Sequence, residues 1–363
     1  MLHVARFLQS YFRDDSASPM TEEVEIAVDG TTVPATLIQT SARRAPAWVV
    51  LHGITVPGRQ HPTLLRFSHA LAAAGGTVLI PEVPAWRELR IDPAAAGATI
   101  KSAAQFLRDE LPEERVGVIG FSFGATQALV TAADSASHDL IDTVVGFGGY
   151  CDLERTLIFM MTGEHEWKGT SRKADPDPYG RWIVAANYLT DIPEFSGMTA
   201  VADGAVALAT KVGQAGTFAG DPMYDELKLE VRKTLSTAER EVWDLIAPPA
   251  GAAVPPEAAR ALAKQLVAAA LDRHPDLDPR PALGGVRQRV VLAHGFEDRL
   301  IPFTETLRLQ KELPATVESS VTITRLFAHS TGGDALRSWQ YPGEALRYVR
   351  LLVRALRRRP GSR

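Results

Sequence analysis

The sequence has one cysteine, Cys151, in 363 residues. A single thiol excludes an intrachain disulfide, so nothing in the chain calls for an oxidising compartment. Cys151 stands in a Gly-Gly-Tyr-Cys run at an expected strand end. A thiol there is a nucleophile in principle, but the setting suits a buried structural cysteine better. No run of about 18 apolar residues occurs, so no membrane span is expected. Arg6 breaks the short apolar run at the N-terminus and no small-residue cleavage site follows, which argues against a signal peptide. The expected compartment is cytoplasmic. Excess charge is also scarce. The 39 basic and 43 acidic residues leave a net −4, too little to draw a polyanion, and no nucleic-acid partner is expected.

What is present is the composition of an ordinary soluble globular protein, 45% apolar and 23% charged. The chain exceeds the roughly 250–300 residues at which single cores stop growing. One large domain with an insertion, or two domains, is therefore expected.

Residues 22–41 read as a β-hairpin. Val24, Ile26 and Val28 alternate with polar residues, Asp29-Gly30 turns the chain, and 33–38 returns. Strand and helix then alternate. Apolar runs at 47–51 (AWVVL), 77–80 (TVLI), 116–120 (VGVIG) and 143–147 (TVVGF) read as strands, with helices over 62–74, 93–110 and 124–133 between them. Gly75-Gly76 stops the first helix and Asp92-Pro93 starts the second. This alternation predicts an α/β fold whose central sheet is mostly parallel and covered by helices on both faces. From about 153 to 284 the periodicity is mainly helical, with Trp167, Tyr179, Trp182, Tyr188 and Trp243 among its aromatics. Strands resume at 289–293 (RVVLA) and 321–327 (VTITRLF), and a helix over 343–358 follows. The expected organisation is an N-terminal segment (1–21), a sheet domain (22–152 and 285–363) and a helical cap inserted between late strands (153–284). No internal repeat is found.

Gly120-Phe121-Ser122-Phe123-Gly124 matches the G-x-S-x-G pattern, in which a serine sits on a sharp strand-to-helix turn too tight for side chains at the flanking glycines. The context agrees, because the pattern follows VGVIG and opens the helix ATQALVTAA. The bland alternative is a glycine-rich turn with an incidental serine. A serine hydroxyl needs a positioned base. Among nine histidines, His329 directly follows the run 321–327. It would share with Ser122 the carboxyl edge of the sheet, where ligands gather in open α/β folds. The base in turn needs an acid. Asp298 lies in the loop His294 to Pro302, just past 289–293. Asp152, just past 143–147, is an alternative, but it immediately precedes a helical run, where an N-cap Asp is expected for structural reasons. Donors for an oxyanion would be the N–H groups of Phe123 and of Ile54, with Gly53 letting that backbone approach.

Other signals are weaker. His165 with Glu164 and Glu166 lacks a second ligand pair, and no G-x-G-x-x-G opens a helix, so neither a metal nor a cofactor is expected. Arg347, Arg350, Arg354, Arg357, Arg358 and Arg359 make the last helix basic. Leu346, Val349, Val353 and Leu356 recur at helical spacing, which favours a packed helix with a solvated face over one that binds an anionic surface.

Together, His52-Gly53, the turn at 120–124, His294-Gly295-x-x-Asp298-x-x-x-Pro302 and Ala328-His329 resemble the α/β-hydrolase superfamily, in its chain order of Ser, acid and His. The sequence is similar to the serine esterase and dienelactone-hydrolase-like branches that carry a helical cap. It has Ser122 where dienelactone hydrolases have cysteine, and it lacks the HGGG run of one esterase and lipase branch. The likeness covers about 22–152 and 285–358. It implies a carboxylesterase-like serine hydrolase that cleaves a small-molecule ester through an acyl-enzyme, with Ser122, His329 and Asp298 as triad. The same triad serves thioester, lactone, amide and C–C bond hydrolysis, and a non-catalytic binding protein can also use the scaffold. The insertion carries no specificity signature, so substrate identity and oligomeric state are not legible.

Overall fold

The computed structural model describes residues 2–13, 19–40, 46–111, 115–326 and 342–357. Its first helix, α1 (Leu2–Arg13), precedes an antiparallel hairpin of β1 (Met20–Val28) and β2 (Thr31–Gln39). Asp29 and Gly30 turn this hairpin with φ of 45° and 79°, the pair of positive φ angles that suits two-residue hairpin loops. There follow β3 (Ala47–Leu51), α2 (Pro62–Ala73), β4 (Thr77–Pro81), the short α3 (Pro84–Arg87), α4 (Pro93–Glu110), β5 (Val116–Phe121), α5 (Phe123–Ala133) and β6 (Thr143–Phe147).

The chain then leaves the sheet. It builds α6 (Leu153–Thr162), a small hairpin of β7 (Glu164–Trp167) and β8 (Thr170–Lys173), α7 (Tyr179–Tyr188), α8 (Thr199–Ala215), α9 (Asp225–Thr234), α10 (Thr237–Ile246), α11 (Pro256–Arg273) and α12 (Arg280–Leu283). It returns as β9 (Arg289–Gly295), α13 (Phe303–Glu312) and β10 (Ser319–Thr324), and α14 (Pro342–Ala355) comes last.

Eight strands form one sheet in the order β1-β2-β4-β3-β5-β6-β9-β10. From β4 to β10 all neighbours are parallel, and the first hairpin joins antiparallel through β2 and β4. Because side chains alternate across a strand, each central strand feeds two cores. Val49, Leu51, Leu79, Val118, Val144 and Leu292 pack under α4, α5 and α13. Trp48, Val50, Val78, Ile80, Val145 and Val291 pack under α1, α2 and α14. Every residue of β3, β4, β6 and β9 is buried, which is why these strands read as continuous apolar runs. From β3 the chain moves to β4 on one side, and from β5 it moves to β6 on the other. The carboxyl ends of β3 and β5 thus flank the point where the winding reverses, the crevice in which open α/β sheets hold ligands.

Three local features add to the expected organisation or correct it. The excursion contains the β7–β8 hairpin besides helices. All four residues of β8 are exposed, so it has no apolar alternation to betray it. The N-terminal segment includes α1, which buries Val4 and Phe7 in the core that also takes α14. On α14 the buried face is Leu351, Leu352, Ala355 and Leu356, with Val349 and Val353 half-buried and Leu346 49% exposed. Docking beside α1 turns that face inward, and the expected stripe through Leu346 is corrected accordingly. Among the described residues no helix is long and apolar enough to cross a membrane.

Candidate active site

Ser122 is the single residue between β5 and α5. Its φ of 55° and ψ of −126° lie outside the regions open to ordinary L-residues. The surroundings hold it there. Its N–H donates to the Phe147 carbonyl at 2.7 Å, and its own carbonyl accepts from Ala125 N–H at 2.9 Å. A Cβ on Gly120 would lie 2.2 Å from the Gly124 carbonyl oxygen, and one on Gly124 would lie 2.8 Å from that of His52. Both positions therefore require glycine, for close approach of backbone to backbone.

The loop after β3 comes equally close. A Cβ on Gly53 would stand 3.4 Å from Ser122 Cβ. His52 fixes this segment. Its ring is buried, and Nδ1 donates to the Gly53 carbonyl at 2.7 Å. Its Nε2 lies 3.0 Å from Glu82 Oε1 and 3.1 Å from Val83 N. Ile54 and Phe123 both border the space in front of Ser122. Phe123 opens α5, where helix geometry gives the first N–H no partner within the helix.

Asp298 is buried in the turn after β9. Its Oδ1 accepts the N–H groups of Leu300 and Ile301 at 2.9 and 3.0 Å. Its Oδ2 lies 3.2 Å from Nε2 of the fully buried His294. That nitrogen is also 2.9 Å from the Ile301 carbonyl. Both neighbours are acceptors, so Nε2 carries the proton. The Nδ1 of His294 meets Thr306 Oγ1 at 2.6 Å. The carboxylate is thus held on both oxygens by a turn and a ring.

Ser122 opens on a narrow cavity of about 80 Å³, walled by Ile54 and Phe123 and by residues of α6, α7 and α11, among them Leu157, Met160, Ile183 and Ala270. Tyr179 borders it and donates to the Ile54 carbonyl at 3.3 Å. Trp182 does not reach it. That side chain is packed in the excursion's core, with its indole N–H on the Ile246 carbonyl at 3.0 Å.

No family model and no curated protein matches the chain. Solved structures do. The uncomplexed acylaminoacyl peptidase of Pyrococcus horikoshii is similar with a TM-score of 0.52 at 12% identity, over 98% of this chain and 45% of that one. The chain therefore spans less than half the length of that enzyme. An esterase of Pyrococcus furiosus is similar at 0.49 and 13%, over 93% of this chain and 91% of its own. A dienelactone hydrolase from Anabaena variabilis is similar at 0.48 and 13%, over 93% and 96%. The chain has the α/β-hydrolase fold.

Within this α/β-hydrolase fold, Ser122, Ile54 and Phe123 meet at one cavity, and Asp298 stands in the turn after β9, whose neighbours Leu300 and Ile301 border the same cavity. His329 lies outside the described residues, beyond β10, which ends at Thr324 rather than running on to 327. Asp152 caps α6. Its Oδ1 accepts Arg155 N–H at 2.9 Å, and Oδ2 pairs with Arg155 and Arg280 at 3.2 and 2.5 Å. Cys151 is buried, and burial beside Glu305 pushes its thiol up to about 12. Glu305, only 1% exposed, accepts the N–H groups of Cys151 and Asp152 at 3.2 and 2.8 Å. Burial pushes its carboxyl above the usual range, although Arg155 beside it opposes the shift.

Sequence reasoning missed two buried histidine–carboxylate pairs, His52 with Glu82 and His294 with Asp298. Both histidines were visible beside a glycine at a strand end, but their burial and partners were not.

Proposed function

We propose that the protein is a carboxylesterase-like serine hydrolase that cleaves small-molecule carboxylic esters through an acyl-enzyme. The observation that carries this reading is Ser122, held at a strained φ by glycines on both sides, at the mouth of an apolar cavity. Ser122 Oγ attacks the ester carbonyl. His329 takes the proton and passes it to the leaving alcohol, then draws one from the water that attacks the acyl-enzyme and returns it to Ser122 Oγ as the acid leaves. Asp298, its carboxylate fixed by two backbone N–H groups and His294, orients the imidazole and stabilises its charged form. The N–H groups of Phe123 and Ile54 receive the oxyanion. The excursion over 153–284 serves as a cap that excludes water and shapes the acyl site. No cofactor enters the reaction.

A fluorophosphonate probe tests this directly. Wild type should gain one adduct on the peptide containing Ser122, and Ser122→Ala should gain none while keeping its circular dichroism spectrum. On p-nitrophenyl esters of graded acyl length, beside thioester and amide analogues, Ser122→Ala should be essentially inactive. Retention of more than about a tenth of wild-type kcat/KM, a loss under ~1.4 kcal/mol, would move the nucleophile elsewhere.

A further inference from the structure

The cavity wall is apolar apart from hydroxyls. Among the described residues these belong to Ser122, Tyr150, Thr156, Tyr179 and Tyr188. Tyr150 donates to the Leu277 carbonyl at 2.9 Å, Thr156 to the Asp152 carbonyl at 2.7 Å, and Tyr179 to that of Ile54. Tyr188 is different. It ends α7, is 1% exposed, and among the described residues its hydroxyl has no hydrogen-bond partner. Its ring meets His274 edge-on. The nearby cation, Arg273, is occupied by Asp191 and the Asn187 carbonyl. Burial pushes the phenol well above its usual range, so it remains an O–H donor at any pH near neutrality. A buried donor without an acceptor forfeits the hydrogen bond that water gave it in the unfolded chain. Such groups are rare in folded proteins and call for an explanation. Tyr188 also borders the cavity in front of Ser122.

We propose that Tyr188 is a specificity-determining residue whose hydroxyl donates to a neutral oxygen on the acyl group, so the preferred substrates are esters of oxo-, hydroxy- or alkoxy-acyl chains rather than of plain alkyl chains. A carboxylate would not suit the site: one neutral donor does not replace its hydration, and the carboxylates of Asp191 and Asp92 already act on the phenol. Sites built to hydrogen-bond a substrate group discriminate strongly against analogues lacking it, since the site's own polar group is then left unpaired. The inference rests on the reading of Ser122 as nucleophile.

The test is a set of p-nitrophenyl esters running from 4-oxopentanoate to 8-oxononanoate, each beside its unsubstituted counterpart of equal length. In wild type, at one chain length, the oxo ester should be preferred by about tenfold in kcat/KM, equivalent to about 1.4 kcal/mol. Tyr188→Phe should erase that preference, slowing the oxo esters more than the unsubstituted ones, and should not lower Tm, because it removes an unsatisfied group. No preference at any length, or a preference that survives Tyr188→Phe, overturns the proposal. So does a fall in Tm with equal slowing of every ester, which would make the hydroxyl structural. Fluorophosphonate labelling at Ser122 without oxo preference sinks this inference alone. Absence of both labelling and turnover sinks the Ser122 reading, and this inference with it.

Discussion

A residue's chemistry here is set by what the backbone around it permits. Ser122 occupies a conformation that an ordinary residue avoids, and it persists because β5 and α5 over-determine the turn. That much was legible in the sequence, since the requirement for glycine at 120 and 124 is local and steric. Asp298 was legible as a loop carboxylate, but its supports were not. The contact with His294 depends on burial of β9 on both faces and on a turn that folds 298 back onto 294. The two roles of this carboxylate can be separated by one substitution. Asp298→Asn keeps an oxygen for the N–H groups of Leu300 and Ile301. It places an amide N–H₂ against Nε2–H of His294, a donor facing a donor. We expect a modest destabilisation of about 1–2 kcal/mol, larger than an exposed turn aspartate would give. The fall in kcat should be of orders of magnitude, because the amide favours the wrong imidazole tautomer in the base. Urea unfolding and steady-state kinetics on one preparation check both numbers. A variant with wild-type kcat would remove Asp298 from the proposed triad.

At the scale of elements, strands buried on both faces declared themselves and half-exposed elements did not. The runs at 47–51 and 143–147 coincide with β3 and β6, since full burial leaves no room for polar residues. The solvent-facing β8 and the rotated face of α14 lacked such constraint, because neighbours that sequence does not reveal decide which side of them is covered. The start of α6 lies between these cases. Asp152 was weighed as a cap and as an alternative acid. Its bond to Arg155 N–H supports the cap, and its other oxygen is engaged by two guanidinium groups. Asp152→Ala should therefore cost about 0.5–2 kcal/mol of stability while kcat of the folded fraction stays near wild type. Thermal unfolding and active-site-titrated kinetics measure the two separately. Loss of kcat without loss of stability would return the acid's role to Asp152.

For the whole molecule, the decisive fact is that the apolar residues form separate bodies. Two clusters lie on the faces of the sheet. A third fills the excursion, around the fully buried Trp182 and Trp243. It meets the sheet's carboxyl edge through Leu89, Ile91, Tyr150 and Ile301, with Ile54, Phe123 and Leu300 packed against it. A unit with its own core can open without the rest. Trp243 is the place to test this. Its ring packs so closely on α8 that a Cβ on Gly204 would fall 2.9 Å from it, and its indole N–H donates to the Lys228 carbonyl at 3.2 Å. Trp243→Ala should cost about 3–5 kcal/mol at the site. Peptide-level hydrogen exchange should then show protection lost across α7 to α11 while β3 to β6 stay protected. Because α7 and α11 also wall the cavity in front of Ser122, KM for long-chain esters should rise at temperatures where the sheet is still folded. If protection falls uniformly across sheet and excursion, the two cores unfold as one unit, and the excursion is a fixed part of the fold with no opening of its own.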